Sequence, residues 1–348
     1  MDVVGARSLP VRTGLIGSGI GPSLSPALHE REARELGLDL SYTRFDLDEL
    51  DLPPESVGDL VGRVRAAGYA GVNVTHPCKQ LVIPHLDGLS PDAAAIGAVN
   101  TVVVEGDRTT GHNTDWSGFR DGLLAGLPGA PLDRVVLLGA GGAGAAAAHA
   151  LLTLGVGSLT VLDVDPARAT HLAESLQSRV RPTRVREVGD SCVGSGGLAG
   201  GGDARTRESP ASDMRVGHPG PRVGQAGGGV GRVGSVRGGG IGELGAALAS
   251  ADGVVHATPV GMADHPGLPV PAALLRPELW VAEIVYRPLD TALLRAARAV
   301  GCRTLDGGRM AVHQAAEAFR LFTGLTPDPD RMLRHLAELI GQEDSRVA

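Results

Sequence analysis

Short apolar runs that end on glycine or a turn alternate with helical stretches along most of this 348-residue chain. Residues 12–17 (RTGLIG) read as a strand, and residues 25–37 (SPALHEREARELG) as a helix with a Ser-Pro start and a Gly stop. The pattern then predicts a strand over 40–47, a helix over 57–68, a buried strand over 69–75, a helix over 91–96 and a strand over 98–106. Strands separated by helices imply a mainly parallel α/β sheet. A helix over 115–127 bridges into a second unit, which opens on RVVLLGAGGAGAAAAHALLTLG and continues through SLTVLDVD, ADGVVHATP, LWVAEIVY and GCRTLDG. Each of these runs is followed by glycine or a turn, as the strands of an open nucleotide-binding sheet are. A strongly helical segment follows Met310, and a closing helix runs over 329–341.

Two stretches depart from this alternation. Residues 135–162 contain no Asp, Glu, Lys or Arg, and their hydropathy alone would fit a membrane span. The run is broken by GAGGAG at 139–144 and carries His149, so a strand, a glycine turn and a buried helix account for it better. Residues 189–240 hold 18 glycines in 52 positions, with scattered arginines and few large apolar groups to offset the entropy of ordering. They read as an unstructured insertion, either an inert loop or the trace of a frame error in the coding sequence. An RNA-contacting role is disfavoured, since there is one Arg-Gly-Gly unit, at Arg237, and no aromatic residue.

Composition narrows the class. Apolar content of 43% with 20% charged residues fits a globular protein with a sizeable core, and 3% aromatics leaves that core to Leu, Val and Ala. A net charge of −7 argues against a general nucleic-acid or anionic-membrane surface. Cys78, Cys192 and Cys302 lie far apart, with neither a disulfide framework nor a metal spacing, which suits a reducing cytoplasm. The N-terminal residues lack the apolar centre of a signal peptide.

One cation stands out. Lys79, in GVNVTHPCKQ, is the only lysine among 32 cationic side chains. A guanidinium does not release its proton, whereas an ammonium can be tuned to do so. The glycines of VVLLGAGGAGAAAA, Gly139, Gly141 and Gly144, fit the GxGxxG spacing between a strand and a helix, whose free N–H groups suit a pyrophosphate. Asp163 ends the next strand, 24 residues past Gly139, where a carboxylate accepts ribose hydroxyls and repels a 2′-phosphate. That favours NAD over NADP, with Arg168 as a counterweight able to contact a phosphate or the adenine face. The other reading of Asp163 is a cap for the helix that starts near Pro166. Hydride transfer needs a partner for the accompanying proton, and Lys79 with Asp115 of GHNTDWSGF could supply one. Ser23 and Ser25 precede a helix start, where hydroxyls and N–H groups bind a carboxylate; Ser25 also reads as the helix N-cap.

Together SLSPALH, NVTHPCK, GAVNT, GHNTD, GAGGAG, ATPVGM and GGRMAVHQAAEAF occur in the order found in shikimate dehydrogenases, and the resemblance covers nearly the whole chain outside 189–240. The segments DVDPARA and WVAEIVYRPLDTALLRAAR look most like the NAD-preferring quinate/shikimate branch. The resemblance implies an N-terminal α/β substrate domain plus a Rossmann-type doubly wound nucleotide-binding domain. The first covers residues 1–114 and is completed by the C-terminal helices over 309–348; the second covers 115–308 and contains the insertion. It also implies reversible oxidation of the shikimate C3 hydroxyl to 3-dehydroshikimate. Lys79 is then the acid/base and Asp115 its partner. Ser23 and Ser25 hold the substrate carboxylate, Thr75, Asn100 and Gln314 bind ring hydroxyls, and Tyr286 lies near the carboxylate. Gly139, Ala140, Gly141, Gly142, Ala143, Gly144, Asp163, Arg168, Thr258, Ile284 and Gly307 line the cofactor, and no metal is called for. The expected partners are small molecules, shikimate and by extension quinate, with no nucleic acid and no membrane, in a monomer or homodimer. Some quinate-using relatives carry threonine where this chain has Ser25. The insertion displaces the usual third strand of the nucleotide domain, leaving residues 184–188 (RVREV) as the candidate. A tetrahydrofolate-type dehydrogenase would not call for the serine pair, GHNTD and MAVHQ together. A ligand-sensing homologue without catalysis would be expected to lack Lys79 or Asp115, and both are present.

Overall fold

The computed structural model describes residues 10–180 and 234–347. Among these, twelve strands form two six-stranded sheets. The first takes β1 (Val11–Gly17), β2 (Leu40–Asp46), β3 (Gly71–Val74), β4 (Gly88–Leu89), β5 (Thr101–Glu105) and β6 (Arg108–His112) in the order β2-β1-β3-β5-β6-β4. β2, β1 and β3 run parallel, as the alternation implies. β5 and β6 instead form an antiparallel hairpin, with Glu105 opposite Arg108 and a two-residue turn in which Gly106 takes φ +60°. The apolar pattern does not predict β6, because RTTGH has no large apolar side chain; pairing with β5 makes it a strand.

The second sheet takes β7 (Arg134–Leu138), β8 (Ser158–Asp163), β9 (Ser235–Gly240), β10 (Gly253–His256), β11 (Trp280–Glu283) and β12 (Thr304–Leu305), in the order β12-β11-β10-β7-β8-β9. Every pairing in it is parallel, which gives the doubly wound Rossmann arrangement. The uncharged run 135–162 is β7, a glycine turn, the helix Gly142–Thr153 and β8. No helix among the described residues is long and apolar enough to cross a membrane.

β9 corrects part of the insertion reading. Residues 189–240 read as unstructured, yet Ser235–Gly240 pairs with β8 along its whole length as the edge strand. The glycines there are clearance rather than slack. A Cβ on Gly238 would sit 2.4 Å from the Ala169 backbone of the helix Pro166–Val180, and one on Gly234 would sit 2.1 Å from the Val156 carbonyl. Residues 184–188, the strand candidate from sequence, lie outside the described residues, as does the rest of the insertion up to residue 233.

The aliphatic core predicted from composition is present on both faces of the second sheet. Val136, Leu138, Leu162, Val254 and Val281 are buried on one face, and Val135, Leu137, Leu159, Val161 and Val255 on the other. The helices Thr114–Gly126 and Gly307–Thr323 pack together through glycines four residues apart. A Cβ on Gly118 would meet the Gln314 Cβ at 2.7 Å, and one on Gly122 would meet the Met310 amide nitrogen at 3.3 Å. This close approach brings Gln314 to the N-terminus of the other helix. Gly118→Ala is therefore expected to cost about 1–3 kcal/mol by overpacking, read as a lower urea midpoint. An unchanged midpoint would show that the helix pair has room to spare.

Candidate active site

Lys79 lies in the short helix Cys78–Leu81, which follows β3 after Thr75 and Pro77. Its backbone carbonyl accepts from Val99 N, tying that turn to the start of β5. Asp115 sits in the first turn of Thr114–Gly126, where the Asn113 side chain caps the helix by accepting from Asp115 N at 3.1 Å and Trp116 N at 3.4 Å. Asn113 also donates to the Ala98 carbonyl, so the cap itself is anchored to the segment before β5. These two constraints place Lys79 Nζ 2.6 Å from Asp115 Oδ2, with 25% and 11% of the side chains exposed. The pair is open enough to meet a small molecule and sheltered enough to exclude much of the surrounding water.

Asn100 holds the other carboxylate oxygen. Its Nδ2 donates to Asp115 Oδ1 at 2.8 Å, while its Oδ1 accepts from Thr114 N at 2.7 Å and from the Thr101 hydroxyl at 3.0 Å. Those donors fix which way the amide points, because the oxygen must face the backbone N–H. The network continues away from the lysine. Asn73 Nδ2 donates to Thr101 Oγ1 at 3.0 Å, and the buried Tyr42 hydroxyl donates to Asn73 Oδ1 at 2.8 Å. Burial pushes the Tyr42 phenol well up, with a hydrogen bond to the Ser25 side chain acting the other way. A chain of side-chain hydrogen bonds thus links Ser25 to Lys79. Gln314 reaches the same cluster, 3.5 Å from Thr114 Oγ1.

The serine segment is positioned by a carboxylate that the sequence did not flag. Asp46, at the end of β2 and only 4% exposed, accepts from the amides of Gly19, Ile20 and Gly21 at 3.0, 2.8 and 3.1 Å and from Asp48 N at 3.2 Å. This pins the loop that leads into Ser23. Ser25 is not the N-cap expected of it: Leu24 holds that position, no side chain caps the helix, and Ser23 Oγ accepts from Ser25 N at 3.3 Å. The Ser25 hydroxyl is directed to Tyr42 instead. Behind it His29 donates Nδ1–H to the Ser25 carbonyl at 2.9 Å, and burial holds its pKa down to about 4, so the ring is neutral at physiological pH. Thr75 packs its methyl beside Gly17, where a Cβ would sit 2.4 Å away. Tyr286 is half-buried on the loop after β11, and its neighbour Arg287 donates to the Pro22 carbonyl, joining that loop to the serine segment.

A second group of sequence-predicted residues gathers at the carboxyl end of the second sheet. Gly139 takes φ +101°, and a Cβ there would lie 2.6 Å from the Ala257 carbonyl and 3.0 Å from Thr258 Cγ2. A Cβ on Gly144 would lie 2.0 Å from the Gly139 carbonyl. Side chains at these positions would fill the turn, and no side chain caps the helix that begins after Gly141. The cradle fits a pyrophosphate on the first-turn amides of residues 142–144. Asp163 is 6% exposed; Oδ2 accepts from Ala140 N at 2.7 Å and Oδ1 from Asp165 N at 3.0 Å. Its alternative role as a helix cap belongs to Asp165, which accepts from Ala167 N at 3.0 Å. The Arg168 guanidinium, with 55% of the side chain exposed, lies 3.9 Å from Asp163. Gly307 begins its helix directly against the loop after β11, where a Cβ would meet the Ile284 carbonyl at 2.4 Å. Ile284 itself is half-buried, its amide bonded to the His256 carbonyl.

Asp46→Asn replaces part of an acceptor that four amides share with a donor that repels them. The expected cost is about 1–3 kcal/mol of stability, measured by urea unfolding, together with weaker binding of a carboxylate ligand at the serines. Full retention of both would remove Asp46 from the account.

Comparison with known proteins agrees with the geometry. Residues 15–102 match the family model described as the shikimate dehydrogenase substrate binding domain, and residues 308–336 the one described as the shikimate 5′-dehydrogenase C-terminal domain. A shikimate dehydrogenase (NADP(+)) of Streptomyces avermitilis is 54% identical over 94% of this chain and 95% of its own length. A quinate/shikimate dehydrogenase (NAD(+)) of Corynebacterium efficiens is 44% identical over 92% and 95%. The quinate dehydrogenase from Corynebacterium glutamicum, solved in complex with NAD, superposes with a TM-score of 0.76 at 39% identity, covering 94% of this chain and 99% of that one. On this likeness, spanning both sheets, the chain belongs to the shikimate dehydrogenase family.

Proposed function

We propose that this chain interconverts shikimate and 3-dehydroshikimate with a nicotinamide cofactor, and that Lys79 moves the hydroxyl proton. The observation that carries this reading is the 2.6 Å Lys79–Asp115 pair, whose second carboxylate oxygen is held by Asn100. The Gly139 to Gly144 turn would hold the pyrophosphate of a nicotinamide cofactor, which would supply or accept the hydride at the carbinol carbon. In the reducing direction Lys79 gives a proton from Nζ to the ketone oxygen, and in the oxidising direction the amine takes the hydroxyl proton. Asp115 keeps Nζ in place through Oδ2 and leaves lone pairs for a substrate hydroxyl. Ser23 and Ser25 follow the loop fixed by Asp46 and bind the substrate carboxylate without adding charge, the Ser25 hydroxyl turning from Tyr42 to do so, while Thr75, Asn100, Gln314 and Tyr286 surround the ring. This orients the reacting carbon relative to Lys79.

For the cofactor we propose NAD in preference to NADP. Asp163 supports this: its carboxylate is buried and fixed by two backbone amides at the end of β8, where a 2′-phosphate would meet its charge. Arg168 is the opposing group, exposed and close enough to Asp163 to pair with a phosphate placed there. Quinate is the second candidate substrate, sharing the carboxylate and ring hydroxyls that the serines and Asn100 would hold.

The test is the initial rate of cofactor reduction with shikimate and with quinate, each with NAD and with NADP. NAD-linked turnover of shikimate is expected to exceed NADP-linked turnover by about tenfold or more, one like-charge contact being worth roughly a factor of ten. An NADP preference would show that Arg168 outweighs Asp163 and would overturn the cofactor assignment. No turnover of shikimate with either cofactor would overturn the function.

A further inference from the structure

The second sheet buries an ionisable pair that the proposed chemistry does not use. His256 ends β10 and Glu283 ends β11, and the two are direct partners in the parallel register. Both side chains are 0% exposed. They sit among Val254, Val255, Val281 and Ala282, so the network around them has to satisfy their polar atoms to offset desolvation. Glu283 Oε1 accepts from Val285 N at 3.0 Å and Oε2 from the Thr291 hydroxyl at 3.2 Å. The third partner is His256 Nδ1, 2.8 Å from Oε1. A carboxylate only accepts, so Nδ1 carries the proton and the other ring nitrogen is left facing Thr258. His256 Nε2 bonds Thr258 Oγ1, which also accepts from Val260 N at 3.3 Å. A Thr258 hydroxyl that gives its proton to Nε2 completes the chain from Glu283 through the ring.

This arrangement ties together the loops that leave the carboxyl ends of β10 and β11, where an open α/β sheet binds its ligand. Thr258 lies on the first loop, with its methyl against Gly139 of the glycine turn. Ile284 and Val285 lie on the second loop, against Gly307. Thr291 caps the helix Ala292–Val300, which packs under the same sheet. We propose that Glu283 and His256 form a positioning relay for the cofactor: they turn the Thr258 hydroxyl proton inward and present its oxygen to a donor on the cofactor bound at the glycine turn. His256 is a positioning residue acting through Thr258, and the inference rests on the reading of the chain as a nicotinamide-dependent dehydrogenase.

The two claims are separated by titrating NAD and NADP into the wild-type protein, His256→Asn, Thr258→Val and the double variant by calorimetry, alongside shikimate KM. Asparagine keeps a donor for Glu283 but is too short to reach Thr258. The expected result is cofactor affinity weaker by about tenfold in His256→Asn, the scale of one buried hydrogen bond, with shikimate KM within about twofold. Because the effect passes through one hydroxyl, Thr258→Val should weaken binding similarly and the double variant no further. His256→Gln, whose longer amide still reaches Thr258, should recover most of the affinity. Unchanged cofactor affinity in His256→Asn, or additive losses in the double variant, would overturn the relay while leaving the dehydrogenase reading intact. A wild-type protein that binds neither cofactor would instead sink that reading. If His256→Asn gave no cooperative melt, His256→Gln and Thr258→Val would be judged alone: retained binding in the first with loss in the second supports the relay, and equal binding in both overturns it.

Discussion

An ammonium and a carboxylate 2.6 Å apart and partly exposed need more than mutual attraction to hold their geometry. Partly exposed ion pairs contribute little by themselves. Here the geometry is imposed by the backbone. Asp115 is delivered by a helix whose cap, Asn113, is hydrogen-bonded to the segment before β5, and Lys79 by a turn whose carbonyl is bonded to Val99. Asn100 then fills the second oxygen of Asp115, and its own orientation is dictated by Thr114 N. The interaction depends on β3, β5 and one helix N-terminus meeting at a single place, and the sheet order β3-β5 is what makes them meet.

Glycine is the second constraint, and it acts through clearance. Gly118 lets Gln314 approach the helix that carries Asp115, Gly307 lets the helix Gly307–Thr323 start against the loop after β11, and Gly139 and Gly144 keep side chains out of the turn after β7. Gly238 lets a helix backbone ride over the edge strand. A chain poor in aromatic residues brings its functional groups together by close backbone contact rather than by bulky side chains filling space.

Much of this was legible in the sequence, for stated reasons. Periodicity exposes strands such as β7 and β8, whose cores are continuous apolar runs, and the GxGxxG spacing marks the turn between them. Lys79 and Asp115 were visible through residue type and through GHNTD. Other features are invisible to any local pattern. The path Ser25–Tyr42–Asn73–Thr101–Asn100 joins residues far apart in the chain, and only sheet register puts them in contact. Asp46 and Glu283 each look like an ordinary acidic residue ending a strand, until the loops whose amides they collect are in place. β9 was misread because glycine richness signals disorder on composition alone, whereas here a helix packed overhead requires it. Ser25 was misread as a cap because a Ser-Pro step is a common helix start; the tertiary partner Tyr42 takes its hydroxyl instead.

The claim on which the account turns is that Lys79 is retained for its proton. Lys79→Arg keeps the charge and a partner for Asp115 but removes a group able to release a proton. Shikimate binding and single-turnover hydride transfer in this variant should be measured side by side. The account predicts a dissociation constant within a few-fold of wild type and a turnover reduced by about 10²–10⁴-fold, the range for losing a general acid/base. Turnover within tenfold of wild type would contradict it, and would mean that Lys79 serves the site by its charge alone.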